Sequence, residues 1–122
     1  MRLLLDTHIL LWAVLQDPRL SSAQLDAIGT GELYFSAATV WEIGIKRAIG
    51  KLDVPEEIFS IALDAGCRAL PISWTHAASA AALPLHHADP FDRMLIAQAR
   101  CEGLQLVSSD ARMNAYDVAL IS

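Results

Sequence analysis

Positive charge is scarce in this chain. Lys and Arg number 9 against 14 Asp and Glu, for a formal net charge of −5. That argues against a nucleic-acid binder working by general basicity, since such binders carry a positive face. It leaves a nuclease open, because carboxylates gathered around metal ions do not repel phosphate once the ions are bound. Cysteine is nearly absent too. Cys67 and Cys101 stand far apart, with no C-x-x-C and no Cys/His cluster at zinc spacing. Two isolated thiols in an apolar chain are expected to be buried and reduced. No apolar run reaches the roughly 18 residues of a membrane span. The run after Met1 is broken at once by Asp6 and His8, so no signal peptide is visible. A soluble, cytoplasmic protein with no membrane partner is expected. There is also no G-x-S-x-G, no P-loop and no G-x-G-x-x-G, so no protein nucleophile is evident.

What the chain does have is apolar bulk, 54% hydrophobic against 19% charged. This excludes disorder. At 122 residues the chain reads as one domain, residues 1–122, with a core of its own. So apolar a small domain is expected to bury further surface against a second copy or a partner chain.

Leu3-Leu4-Leu5 is too short for a helix and does not alternate, so it reads as a buried parallel strand. Asp6 ends it, and Thr7 is placed to cap a helix that stops at Asp17-Pro18. Ser21 or Ser22 starts a second helix, closed by Gly29-Thr30-Gly31. Leu33-Tyr34-Phe35 is a strand, Ser36 an N-cap, and Ala37 to Ile49 a helix apolar on most sides. Pro55-Glu56-Glu57 reads as the first turn of a helix ending at Gly66. Arg68 to Ile72 is a strand placed towards an edge by its proline, and Ser73 to Leu83 an alanine-rich helix. Asp89-Pro90 opens a helix closed by Gly103, and Leu104 to Val107 is a strand before Asp110. Strands alternate with helices throughout. The fold class is α/β, three layers, with a central parallel sheet of four to five strands.

In open parallel sheets ligands bind beyond the carboxyl ends of the strands. Asp6 ends the first strand, Asp110 follows the fourth, Glu42 lies in the helix leaving the second, and Asp92 opens the helix feeding the fourth. Four acids can therefore face one end of the sheet. Each also has a structural use. Asp89 with Pro90 makes a good N-cap and N1 pair, so it is read mainly as the cap, with Asp92 as the ligand. Glu42 could pair with Lys46 at i,i+4, although its apolar neighbours argue for burial. Asp110 could cap the last short helix or serve directly. An unpaired buried carboxylate at Asp6 would be costly. Carboxylates without cysteine suit hard cations, Mg²⁺ or Mn²⁺. Such ions activate water and stabilise charge on transferring phosphoryl oxygens, which allows phosphodiester hydrolysis.

Four segments together resemble the PIN-domain family, and most closely its VapC-type toxins of bacterial toxin–antitoxin pairs. They are Asp6-Thr7-His8, Val40-Trp41-Glu42-Ile43, Asp89-Pro90-Phe91-Asp92-Arg93 with Ile96-Ala97-Gln98-Ala99, and Leu106-Val107-Ser108-Ser109-Asp110. The resemblance runs over nearly the whole chain. It implies a metal-dependent endoribonuclease whose acids Asp6, Glu42, Asp92 and Asp110 bind Mg²⁺ or Mn²⁺ and cleave RNA. It also implies a small antitoxin partner and adds to the expectation of a homodimer. Asp92 takes the third place because its spacing to Ala99 and Gly103 is the family's. Ser108 stands where the family often has threonine, a hydroxyl able to orient a ligand or water.

Other residues are read more modestly. Arg93 is the basic residue most suited to touch phosphate, with a surface ion pair as the equal alternative. Lys46, Arg47 and Lys51 form a basic cluster, either a solvated helix end or a hold on the RNA backbone. His8 is read as packing or hydrogen bonding, His86 and His87 as loop residues, and Trp12, Trp41 and Trp74 as core. Two rival functions stand beside the nuclease. One is an α/β phosphatase with Asp6 as nucleophile, against which His8 stands where a second aspartate would be needed. The other is a non-catalytic binding module of the same fold.

Overall fold

The computed structural model describes residues 1–122. Five parallel strands form one sheet in the order β3-β2-β1-β4-β5. They are β1 (Arg2–Leu5), β2 (Glu32–Ser36), β3 (Arg68–Leu70), β4 (Gln105–Val107) and β5 (Leu120–Ile121). The helices are α1 (Thr7–Val14), α2 (Ser22–Thr30), α3 (Ala37–Ala48), α4 (Ile58–Asp64), α5 (Trp74–Ala82), α6 (Pro90–Glu102) and a 3₁₀ turn, η1 (Ala111–Ala115). The order of strands places β1 at the centre and β3, with Pro71 just beyond it, at an edge.

The layering follows from β1. Its side chains alternate, so Leu4 packs with Leu95, Ile96 and Ala80 of α5 and α6 on one face. Leu3 and Leu5 pack with Ile9, Leu10, Ala27 and Ala62 of α1, α2 and α4 on the other. All three leucines are at most 1% exposed. A strand covered on both faces has no need of polar residues, which is why this run is uninterrupted. Truncating Leu4 to alanine would cost about 2–5 kcal/mol.

Helix α3 belongs to neither layer alone. It contacts both α1 and α6. Ala38 joins the α5/α6 core, while Ile43 packs with Leu11 and Ile58 of α1 and α4. It therefore lies across the carboxyl end of the sheet and brings residue 42 towards the ends of β1 and β4.

Several boundaries differ from the sequence reading. Asp6, not Thr7, is the N-cap of α1, and its Oδ1 accepts the Ile9 N–H at 2.9 Å. The Pro55-Glu56-Glu57 turn precedes the regular helix, which begins at Ile58 with no side-chain cap. Ser21, Ser36, Ser73 and Asp89 cap the helices they were expected to open. Gly103 closes α6 at φ +67°, where an L side chain would be strained.

Three burial expectations fail. Trp41 is 65% exposed, Trp74 is 90% exposed, and Trp12 is only half-buried. Helical spacing places an aromatic on a face, but whether anything covers that face is decided by neighbouring elements or by a partner. Cys101 is exposed and Cys67 half-buried, so neither thiol is the core residue expected.

Candidate active site

The carboxyl ends of β1 and β4, the start of α6 and one face of α3 surround a cleft of about 440 Å³. Its lining includes Asp6, Glu42, Asp89, Asp92 and Asp110, together with Arg19, Lys46 and Arg112. All four acids expected at the site are brought together there.

Asp6 is 5% exposed. Its backbone N–H continues the ladder to the Val107 carbonyl at 3.1 Å, which locks its Cα at the end of two adjacent strands. The side chain accepts from Ile9, and the Ser108 hydroxyl nearby favours its ionised form. Burial pushes its carboxyl above the usual carboxylate range, and these two only partly oppose that.

Glu42 is 4% exposed and fully engaged. The Thr7 hydroxyl donates to Oε1 at 2.7 Å, and the Lys46 ammonium donates to Oε2 at 2.7 Å. Thr7, freed from capping, thus ties α1 to α3, and Thr39 lies 3.2 Å from the same hydroxyl. The i,i+4 pair with Lys46 read from the sequence is present, although its acid is buried rather than on the surface.

Asp92 lies in the first turn of α6, with Asp89 as the cap before it. Asp89 Oδ1 accepts the Phe91 and Asp92 N–H groups at 2.8 and 3.2 Å. Asp92 Oδ2 is 2.7 Å from Nε2 of His87. Burial raises the Asp92 carboxyl to about 6, the nearby Asp89 and Asp6 charges add to the rise, and His87 opposes it.

Asp110 caps η1 through the Arg112 N–H, and the Arg112 guanidinium clamps both its oxygens at 3.0 and 2.7 Å. The guanidinium lowers its carboxyl to about 2. The Ser108 hydroxyl accepts the Asp110 N–H at 3.1 Å and also favours the ionised form of Asp6. Ser108 therefore acts on two of the acids.

Arg93 is elsewhere. Its guanidinium donates to the Ala80, Leu83 and Pro84 carbonyls at 3.0 Å each, satisfying the open C-terminal end of α5. It makes neither a phosphate-facing cation nor a surface ion pair. Arg47 reaches Glu56 at 3.7 Å, away from the cleft lining, while Lys46 of the same cluster lines it.

The sequence reading missed His87, Arg112 and Thr7. His87 is buried, not an ordinary loop residue, and its Nε2 stands 3.9 Å from Asp110 Oδ2 as well. Ligand atoms of His87, Asp92 and Asp110 all lie within 4.8 Å of one another. The only available signal was weak: an aspartate two residues before an arginine for Arg112, and nothing periodic for His87.

The arrangement fits a divalent cation. No lysine or arginine pairs with Asp6 or Asp92, yet Asp6 is buried, Asp92 is half-buried, and both carboxyls are pushed towards the neutral form. A hard cation held by oxygen donors supplies the missing countercharge. Asp6 and Asp92 would hold it, with Asp110 and Glu42 lining the same cleft.

No curated protein matches the chain in sequence. Solved structures share its fold at low identity. VapBC2 from Rickettsia felis, bound to a DNA fragment from their promoter, superposes with a TM-score of 0.71 at 16% identity, over 99% of this chain and 98% of that one. FitAcB from Neisseria gonorrhoeae gives 0.67 at 22%, over 98% and 96%. A toxin–antitoxin complex from Klebsiella pneumoniae gives 0.69 at 19%, over 98% and 95%. The family profile described as PIN domain matches residues 3–119, nearly the full length. The chain belongs to the PIN-domain family.

Proposed function

We propose that the chain is a Mg²⁺- or Mn²⁺-dependent endoribonuclease and the toxin of a toxin–antitoxin pair, with residues 1–122 acting as one nuclease domain. The observation that carries this is the convergence of Asp6, Glu42, Asp92 and Asp110, from four separate segments, on one cleft. Asp6 is buried and Asp92 half-buried, and neither has a lysine or arginine partner. A bound cation supplies an activated water and stabilises charge on the scissile phosphate and its leaving oxygen. The chain's own contribution is positional. Asp6 is held by two strands and a helix cap, Asp92 by the start of α6, and Glu42 by Thr7 and Lys46. Arg112, Lys46 and Arg19 line the same cleft and would meet RNA phosphates.

Trp12 supports an RNA substrate with unpaired bases. It is the one hydrophobic residue in the cleft lining, with the Arg19 guanidinium 4.8 Å from its ring centre. A half-buried indole in the lining of a cleft that also holds basic side chains is a stacking surface for a splayed base.

The toxin role draws on the Klebsiella toxin–antitoxin complex, which has this fold. The exposed Trp41, Trp74 and Leu85 support a protein partner, either an antitoxin or a second copy in a homodimer. No helix is long and apolar enough to cross a membrane, which accords with a cytoplasmic site of action. Purified protein should cleave single-stranded RNA with Mn²⁺, fail in excess EDTA, and fail as Asp6→Asn. Activity on p-nitrophenyl phosphate without RNA cleavage would favour the phosphatase. A folded protein unaffected by Mn²⁺ would favour the non-catalytic module.

A further inference from the structure

We propose that His87 is a positioning residue for this site: its imidazole holds the Asp92 carboxylate in place beside Asp110. The inference rests on the metal-binding reading above and goes beyond it, because His87 belongs to no element that carries one of the four acids.

The loop holding His87 is pinned from several sides. The Tyr116 hydroxyl donates to the Pro84 carbonyl at 2.7 Å and accepts the His87 and His86 N–H groups at 2.9 and 3.2 Å. Arg93 donates to the Pro84 carbonyl at 3.0 Å. The His86 ring packs edge-on against Tyr116, with centroids 5.2 Å apart. The His87 backbone is thus fixed before its side chain is considered.

The side chain is 2% exposed, with Nε2 2.7 Å from Asp92 Oδ2 and 3.9 Å from Asp110 Oδ2. Asp92 and Asp110 line the cleft, and His87 does not. The imidazole therefore stands behind the two carboxylates. With Asp92 ionised, the proton of the short bond sits on Nε2 and is donated to Oδ2. That leaves Oδ1 free to bind from the cleft side. Partners of this kind, which orient a ligand without touching the metal, typically change metal affinity by 10–100-fold.

A merely structural histidine would fill the same space, so the test separates packing from hydrogen bonding. Gln places its Nε2 donor close to where the imidazole Nε2 stands, whereas Phe keeps the ring and loses the donor. Mn²⁺ titrations of the full chain, followed by EPR of the free ion, should show His87→Phe weakened by roughly 10–100-fold. His87→Gln should recover most of that loss. Equal affinities for the two variants, both reduced or both unchanged, would overturn the positioning role. A second measurement needs no variant. In ¹⁵N-histidine-labelled wild-type protein, His87 Nε2 should keep its proton when Mg²⁺ is added. A deprotonated Nε2 would mean direct ligation and would overturn the inference. Asp6→Asn separates the two layers of argument. Binding that is lost in Asp6→Asn and untouched in His87→Phe sinks His87 alone. A wild-type protein that binds no Mn²⁺ sinks both readings.

Discussion

The two walls of the cleft treat their acids differently. On the α3 wall, Glu42 has a donor on each oxygen, the Thr7 hydroxyl on one and the Lys46 ammonium on the other. On the α6 wall, Asp92 is given a single imidazole on one oxygen. Asp6, at the base of both, has a cap and a hydroxyl but no cation. The α3 wall carries its own countercharge and is complete as it stands. The α6 wall holds a carboxyl near 6, a charge the protein itself has not neutralised. A divalent cation is therefore expected to be drawn to Asp6 and Asp92, with Glu42 shaping the site from across it.

The harshest test of this contrast is on activity. Asp92→Asn and Asp6→Asn should each reduce RNA cleavage to background in Mn²⁺ while leaving circular dichroism unchanged, since Asn still caps α1 in the second case. Measurable turnover in either variant would dissolve the distinction between the walls.

The next test is on stability against pH, in EDTA. The folded Asp92 carboxyl sits at about 6, above the 3.8 of an ordinary aspartate. The folded state then keeps a proton that the unfolded chain has released, so stability is present at low pH and is lost as pH rises through about 6. The loss is about 3 kcal/mol at its upper limit. Asp110 has the opposite sign. Its carboxyl is lowered to about 2, so its contribution is present above about 4 and is lost only as pH falls through 2. Between pH 4 and 7 the slope therefore belongs to the α6 wall and the Asp6 floor. Urea unfolding should show it flattened in Asp92→Asn and, in wild type, reversed by saturating Mn²⁺, which displaces the proton. A slope unchanged in Asp92→Asn would place the repulsion elsewhere.

The α3 wall gives a smaller effect. Lys46→Met leaves the buried Glu42 with one donor and should cost about 1–2 kcal/mol in EDTA, a buried-pair figure discounted for the exposure of the lysine. Added Mn²⁺ should recover part of it, because the uncovered carboxylate then faces the cation. If melting in EDTA does not change, Lys46 is not what completes that wall. The smallest effect is expected at the cap. Asp89→Asn keeps an N-cap oxygen, and should cost less than about 1 kcal/mol and spare most RNA cleavage. Complete loss of cleavage there would move the metal site towards Asp89.

How much of this was legible in the sequence follows the range of each interaction. The division of labour between Asp89 and Asp92 was readable because a cap, a proline at N1 and an acid one turn later are neighbours on the chain. The Glu42–Lys46 pair was readable for the same reason, and so were the buried β1 leucines and the parallel class of the sheet. These rest on local geometry and on a hydrophobic pattern that any folding of the chain must respect.

The remainder depended on which elements meet. The Thr7 bond to Glu42 spans 35 positions, and its loss as a cap was settled by Asp6 taking that role first. Arg93 is adjacent to Asp92 in sequence, yet the helix periodicity turns it to the exposed carbonyls at the end of α5. Trp74 stayed uncovered, and Trp41 is still 65% exposed although Phe91 of α6 packs edge-on against it at 5.3 Å. His87 is the sharpest case. Only when Tyr116, far along the chain, fixes its backbone does its imidazole come to rest beside Asp92 and Asp110. The sequence by itself determined the sheet, most of the caps and the list of acids, because those follow from short-range sterics and burial. The contacts that finish the site, Thr7 to Glu42 and the Tyr116-held His87 to Asp92, were decided by the tertiary structure alone, since they are a matter of distance in space.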